Sequence, residues 1–89
     1  VTDLFNVVQF FEDGSSEYAR RCVTAEEAMT VLGQRSRSPA AYLGVIKRLI
    51  VTDDGDCCNA EWKYGEGFTY PPELVAAQKA RALAHKGAL

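Results

Sequence analysis

The sequence predicts an α+β fold in two layers: a four-stranded antiparallel sheet, element order ββαββα, with a helix packed on one face. Three observations carry it. Asp13-Gly14 and Asp54-Gly55 each sit between apolar, β-branched runs, a strong short-range hairpin signal because glycine takes positive φ without a Cβ clash. Thr24-Ala25-Glu26-Glu27, between the two hairpins, is a capping-box pattern that opens a helix. Pro71-Pro72-Glu73 opens a second, Ala-rich helix, with proline near its first position and an acid in its first turn.

Leu4 to Phe11 is apolar except at Asn6 and Gln9 and too short for a helix, so it reads as a strand covered on both faces. Glu12-Asp13-Gly14 ends it, and Ser16 to Val23 returns antiparallel, with a two-residue and a bulged turn both open. In the first helix Ala25, Ala28, Met29 and Leu32 fall at i, i+3, i+4 and i+7, a small apolar stripe for the sheet. Gly33 and the polar Gln34-Arg35-Ser36-Arg37 are expected to end it. Ser38 then reads as an N-cap and Pro39 as N1 of a short helical turn that stops at Gly44.

Val45 to Thr52 is β-branched and apolar, and Cys57 to Tyr64 alternates, with Cys58, Ala60, Trp62 and Tyr64 on the inward side. Taking Asp54-Gly55 as a two-residue loop pairs Val51 with Cys58, Leu49 with Ala60, Lys47 with Trp62 and Val45 with Tyr64. Arg48 then meets Glu61 as an opposite-charge cross-strand pair. The expected organisation is a ββαββ core domain over residues 1–70, with residues 71–89 an Ala-rich helix of the same domain or loosely docked on it.

Eighty-nine residues leave room for one hydrophobic core, and 47% hydrophobic with 25% charged residues excludes a disordered chain. The net charge of -2 excludes a uniformly basic surface. It hides alternating blocks, however. Residues 1–27 hold six acids and two bases, 28–52 four bases and no acid, 53–73 six acids and one base, and 74–89 three bases. Such blocks make a dipolar surface that can steer a charged partner.

Cys22, Cys57 and Cys58 are odd in number and lack C-x-x-C spacing, which points to neither a disulfide framework nor a zinc site and to a reducing compartment. Val1-Thr2-Asp3 begins no basic, then apolar leader, and no run reaches the ~20 apolar residues that span a bilayer. A cytoplasmic location without membrane association is therefore expected.

No constellation of residues points to catalysis. Asp53, Asp54, Asp56 and Glu61 fail the ligand spacing of a calcium loop, because counting from Asp53 puts Gly55 third and Cys57 fifth. Cys57-Cys58 lies among acids, which raise thiol pKa values, and His85, expected as a cation near a helix C-terminus, has no third group to orient it. Core packing is expected for Cys58. No enzyme activity, cofactor or metal is expected, and a dimer cleft built from Asp53, Asp56, Glu61 and His85 is the weakest of the readings weighed.

Four of the nine aromatic residues, Trp62, Tyr64, Phe68 and Tyr70, fall in one nine-residue stretch interleaved with glycines. Such side chains bring large contact area at low rotamer cost. Alternation sends Trp62 and Tyr64 inward and leaves Phe68 and Tyr70 available. Lys63 to Tyr70 is similar to the aromatic signature of the RRM domain, but that domain's βαββαβ order differs from this one. The expected binding residues are Phe68 and Tyr70 with the basic side chains Arg35, Arg37, Lys47 and Arg48.

Taken over residues 4–70, Asp13-Gly14, the Thr24 capping box, the Val45 to Thr52 strand and the Trp62 to Tyr70 ending make a layout that resembles small ββαββ proteins of phages and prophages, some anti-CRISPR families among them. The resemblance implies a compact, cytoplasmic, non-enzymatic protein that occupies another molecule's surface, as an inhibitor or adaptor. The mild acidity departs from the strongly acidic nucleic-acid mimics of that class. The expected partner is a protein. Nucleic acid, bound through the basic segment 35–48 and the aromatic loop 62–70, is the alternative, and homodimerisation through the first strand is a further expectation.

Overall fold

The first hairpin closes with one residue more than the shortest Asp-Gly turn. In the computed structural model, which describes residues 4–55 and 57–87, with side chains as far as Leu83, β1 (Phe5–Phe11) and β2 (Ser16–Val23) pair antiparallel. The Phe11 amide donates to the Ser15 carbonyl at 2.8 Å and that of Gly14 to the Phe11 carbonyl at 3.1 Å. Gly14 sits at φ +88°, the left-handed position of a three-residue hairpin loop. Asp13 braces the turn by accepting from the Ser15 amide at 2.9 Å.

The sheet has five strands, where the sequence predicts four. β3 (Ile46–Thr52), β4 (Cys58–Lys63) and β5 (Gly67–Tyr70) join the first hairpin in the order β2-β1-β3-β4-β5, all neighbours antiparallel. The sequence does not announce the fifth strand, because the four residues Gly67–Tyr70 are too few for an alternating pattern. It forms because the Glu66 amide turns back to the Lys63 carbonyl at 3.1 Å, with Gly65 at φ +83° where such a turn needs a residue without Cβ. The chain is thereby laid along the free edge of β4.

The β3–β4 register also differs from the two-residue-loop expectation. Leu49 faces Trp62 and Val51 faces Ala60, two residues along from the predicted pairs, and Arg48 faces Lys63. The cause is a longer loop. Asp53 donates its amide to the Cys57 carbonyl at 3.2 Å, and its Oδ1 accepts from the amides of Gly55 and Cys57 at 2.9 and 3.1 Å. A shift of two leaves every side chain on its predicted face, since strand side chains alternate with period two. The Arg48–Glu61 ion pair therefore survives as a diagonal contact, Nε to Oε2 at 2.5 Å. An irregularity between Val51 and Thr52 does break the alternation, and Cys58 is exposed where core packing is predicted.

The first helix, α1 (Ala25–Ser36), starts as predicted, with the Thr24 hydroxyl accepting the Glu27 amide at 3.2 Å. It runs through Gly33 for a further turn, because Gly33 keeps helical geometry there and the Arg37 amide still finds the Gln34 carbonyl at 3.2 Å. Ala28 and Leu32 are fully buried and Val31 packs beside them, while Met29 and Ala25 face outward, so the stripe is rotated from the predicted one. The short α2 (Pro39–Tyr42) follows Ser38, whose Oγ accepts the Ala41 amide at 3.3 Å, and Gly44 turns out of it at φ +79°. The last helix, α3 (Pro72–Gly87), lies against β5 and sends Leu74 to the core.

The core lies between the helices and one face of the sheet, and Val7, Leu32, Leu49 and Val51 are its largest fully buried side chains. Small residues fill the close approaches, with Ala19, Ala28, Ala41 and Ala60 all buried. The shortest Cα dimension, 17 Å, holds one sheet and one helix layer, with no third among the described residues. β1 is paired on both sides, by β2 and β3, which removes it as the free edge expected to drive homodimerisation. The outer strands are β2, which carries Glu17, Arg20 and Arg21, and β5, flanked by α3; charged and covered edges resist further pairing. No described helix is long and apolar enough to cross a membrane.

Candidate functional site

The face of the sheet turned away from the helices is built from the residues that alternation sends outward. Residues directly opposite in antiparallel strands share a face, so the pairs Val8 with Tyr18, Val8 with Ile50 and Phe10 with Arg48 set its left half, and Ile50 with Glu61, Arg48 with Lys63 and Glu61 with Tyr70 its right half. Val8, Phe10 and Ile50 are half-buried in the middle, while Tyr18 is 52% and Tyr70 47% exposed. A register shift between Val7 and Val8 adds a residue to β2 and brings Arg21 onto Tyr18.

Cations sit on the rings of this face. The Arg21 guanidinium is 4.6 Å from the Tyr18 ring centroid and that of Arg48 is 5.2 Å from the Phe10 centroid, both within cation–π range. Arg48 also donates to Glu61, whose other carboxylate oxygen accepts the Thr69 hydroxyl at 2.5 Å. The Thr69 hydrogen bond above all, then Arg48, holds the Glu61 carboxyl below its ordinary range. Arg48 and Lys63, like charges placed directly opposite, make a pairing that weakens a sheet. Glu61 answers only one of the three cations Arg21, Arg48 and Lys63 in an ion pair among the described residues.

Comparison with protein-family models, curated proteins and solved structures finds no match. The functional reading therefore rests on the side chains themselves.

The predicted binding residues divide among separate places. Arg48 and Tyr70 lie on the uncovered sheet face. Phe68 and Arg37 line one cavity on the helix side, with Phe68 half-buried against the core. Lys47 lies over the Tyr64 ring at 4.4 Å, and Arg35 is half-buried in the last turn of α1, where a cation complements the helix dipole. Trp62 is in the core as predicted, but Tyr64 is 44% exposed, because it follows the last residue of β4 and belongs to the turn. Sequence reasoning missed Phe10, Tyr18 and Arg21, whose signal was the unresolved register of the first hairpin.

Among the described residues, no group of three or more acids, histidines or cysteines could hold a metal ion. Asp53 serves its own turn, whose amides, Cys57 first, keep its carboxyl below the ordinary range. Glu61 belongs to β4 on the uncovered face, and Asp56 and the His85 side chain lie outside the described residues. All three cysteines are exposed.

Proposed function

We propose that this chain is a small non-enzymatic interaction module whose uncovered sheet face binds an acidic surface of a protein partner. The observation that carries the reading is the opposition of Arg48 and Lys63 across β3 and β4, with Arg21 on the same face and Glu61 paired to Arg48. A carboxylate from a partner would relieve that repulsion. The rings of Phe10, Tyr18 and Tyr70 supply the apolar contact, and tyrosine and arginine are the residues that most often carry binding energy at interfaces. A sheet held by paired strands binds with little ordering cost, which suits an inhibitor or adaptor that acts by covering a surface, the role implied by the resemblance to phage-borne ββαββ proteins.

The test is affinity capture with the intact protein and with the Arg21→Ala/Lys63→Ala variant, each residue being solvent-accessible enough for the fold to persist. A partner retained by the intact protein at moderate salt and lost by the variant supports the reading; equal capture by both counts against it.

A second reading, single-stranded nucleic acid on the same face, is favoured by the same excess of cations beside exposed tyrosines. It requires a gel shift at low salt that falls steeply as salt rises. No shift with any DNA or RNA removes it.

A further inference from the structure

The helix side carries a groove that the sheet face does not use. Its first cavity, about 220 Å³, lies between the end of α1 and α3 and is lined by Ser36, Arg37, Trp62, Phe68, Gln78 and Arg81. A second, about 330 Å³, shares Ser36 and Trp62 and continues past Tyr42 and Tyr64 to Gly65 and Gly67. One end is therefore cationic, the floor is aromatic, and the far end has two exposed rings, Tyr42 at 77% and Tyr64 at 44%.

We infer that this groove binds a small anion in which a phosphate is joined to a planar ring, the chemistry of a nucleoside monophosphate. Arg37 and Arg81 form the phosphate end. Neither makes an ion pair among the described residues, and no acidic side chain lines either cavity. The Arg37 guanidinium lies along α1 beside Gly33, where a Cβ would stand 3.7 Å from both of its terminal nitrogens. Two planar, permanently charged forks suit a group with several terminal oxygens better than a lone carboxylate. The Gln78 Oε1 accepts the Phe68 amide at 2.9 Å, which leaves its Nε2 donors for other use. The ring end follows from the exposed rings of Tyr42 and Tyr64, the latter with Lys47 on one face, above the buried Trp62, and from Gly65 and Gly67, which bring no side chain into the opening. The charge of Arg37 and Arg81 selects an anion and the aromatic floor selects one that carries a ring.

Trp62 is the only tryptophan of the chain, so its indole N–H resonance in a nitrogen-15 NMR spectrum reports directly on the groove. The probes are adenosine 5′-monophosphate, adenosine and inorganic phosphate, titrated into the intact protein. Saturable movement of the Trp62 signal by the monophosphate is expected, at lower concentration than by either half alone. Arg37→Ala and Arg81→Ala should each weaken it about tenfold, the scale of one charge-assisted hydrogen bond. Arg21→Ala, on the opposite face, should leave it unchanged and separates this site from the proposed partner surface. A 5′-phosphorylated dinucleotide that binds more tightly than the monophosphate would place the ligand at the end of a strand, and equal binding would make it a free nucleotide. No saturation at millimolar monophosphate, indifference to both arginine variants, or equal affinity for inorganic phosphate would overturn the inference.

Discussion

The Oε1 of Gln78, on α3, accepts the backbone amide of Phe68, on β5, at 2.9 Å, and so one side chain fastens the last helix to the outer strand of the sheet. That amide belongs to a strand that has a neighbour on one side only, and without Gln78 it would be an open donor at the sheet edge.

The contact predicts a coupling between Gln78 and Gly67. Gly67 sits at φ +77°, and a Cβ there would fall 2.3 Å from the Gln78 Oε1. Gly67→Ala should lower stability by about 1–3 kcal/mol from the backbone conformation and the displaced hydrogen bond. Replacing Gln78 by Ala in the same chain should recover part of that loss, a positive coupling measured by urea denaturation of the four proteins of the cycle. Strict additivity would show that the two residues do not interfere.

Burial makes Leu49 the residue whose truncation is felt most. It is fully buried between Gln9 and Trp62 on neighbouring strands. Leu49→Ala should cost about 2–5 kcal/mol through lost transfer energy and a cavity, and lower Tm by roughly 4–8 °C for each kcal/mol in a domain of this size. A loss under about 1 kcal/mol would place Leu49 outside the working core.

Gln9 is buried on the helix side of β1, where its Nε2 donates to Glu17 at 2.8 Å while its Oε1 has no partner among the described residues. An unsatisfied buried acceptor is a standing cost, so Gln9→Leu should be neutral or stabilising by up to about 1 kcal/mol. A large destabilisation, read by thermal denaturation, would mean that the Gln9–Glu17 bond holds the β1–β2 hairpin more firmly than its half-satisfied geometry implies.

Acid sensitivity should run through Glu61. Its carboxyl is held below the ordinary value of 4.5 by the Thr69 hydroxyl and by Arg48. Because the folded value is the lower one, the stabilisation is fully present above pH 4.5 and is lost as pH falls through the folded value. Thr69→Val should therefore weaken the protein at pH 7, and the difference from the natural chain should shrink as the pH falls well below 4.5. A difference independent of pH would assign the effect of Thr69 to packing.

The thiols provide a test of the irregularity between Val51 and Thr52 that leaves Cys58 exposed. Exposure of Cys22, Cys57 and Cys58 predicts that all three react with a disulfide reagent in the folded protein, without denaturant. A native titration that stops at two would put Cys58 back inside, as unbroken alternation along β4 requires.

Much of the chain is legible because its signals act over four or five residues. Asp13-Gly14, the Thr24 cap, Ser38-Pro39 and Gly44 each satisfy backbone groups or take a backbone angle within their own turn, and each does locally what its residue type dictates. The α+β class and the sides of β3 and β4 follow from patterning of the same kind. Pairing does not. The adjacency of β1 and β3, the two-residue displacement of β3 on β4 and the existence of β5 are decided by which edges meet and which faces find Leu32 and Trp62 to bury against. The binding surfaces depend on those same choices. Neighbours in sequence such as Phe68 and Tyr70 turn to opposite sides of the sheet region, whereas Arg37 and Arg81, 44 positions apart, come to line one cavity. A strand can slide by two residues without exposing any apolar side chain, so hydrophobic pattern alone is blind to it, and only the hydrogen bonds of the loops and the packing of the whole sheet select one register.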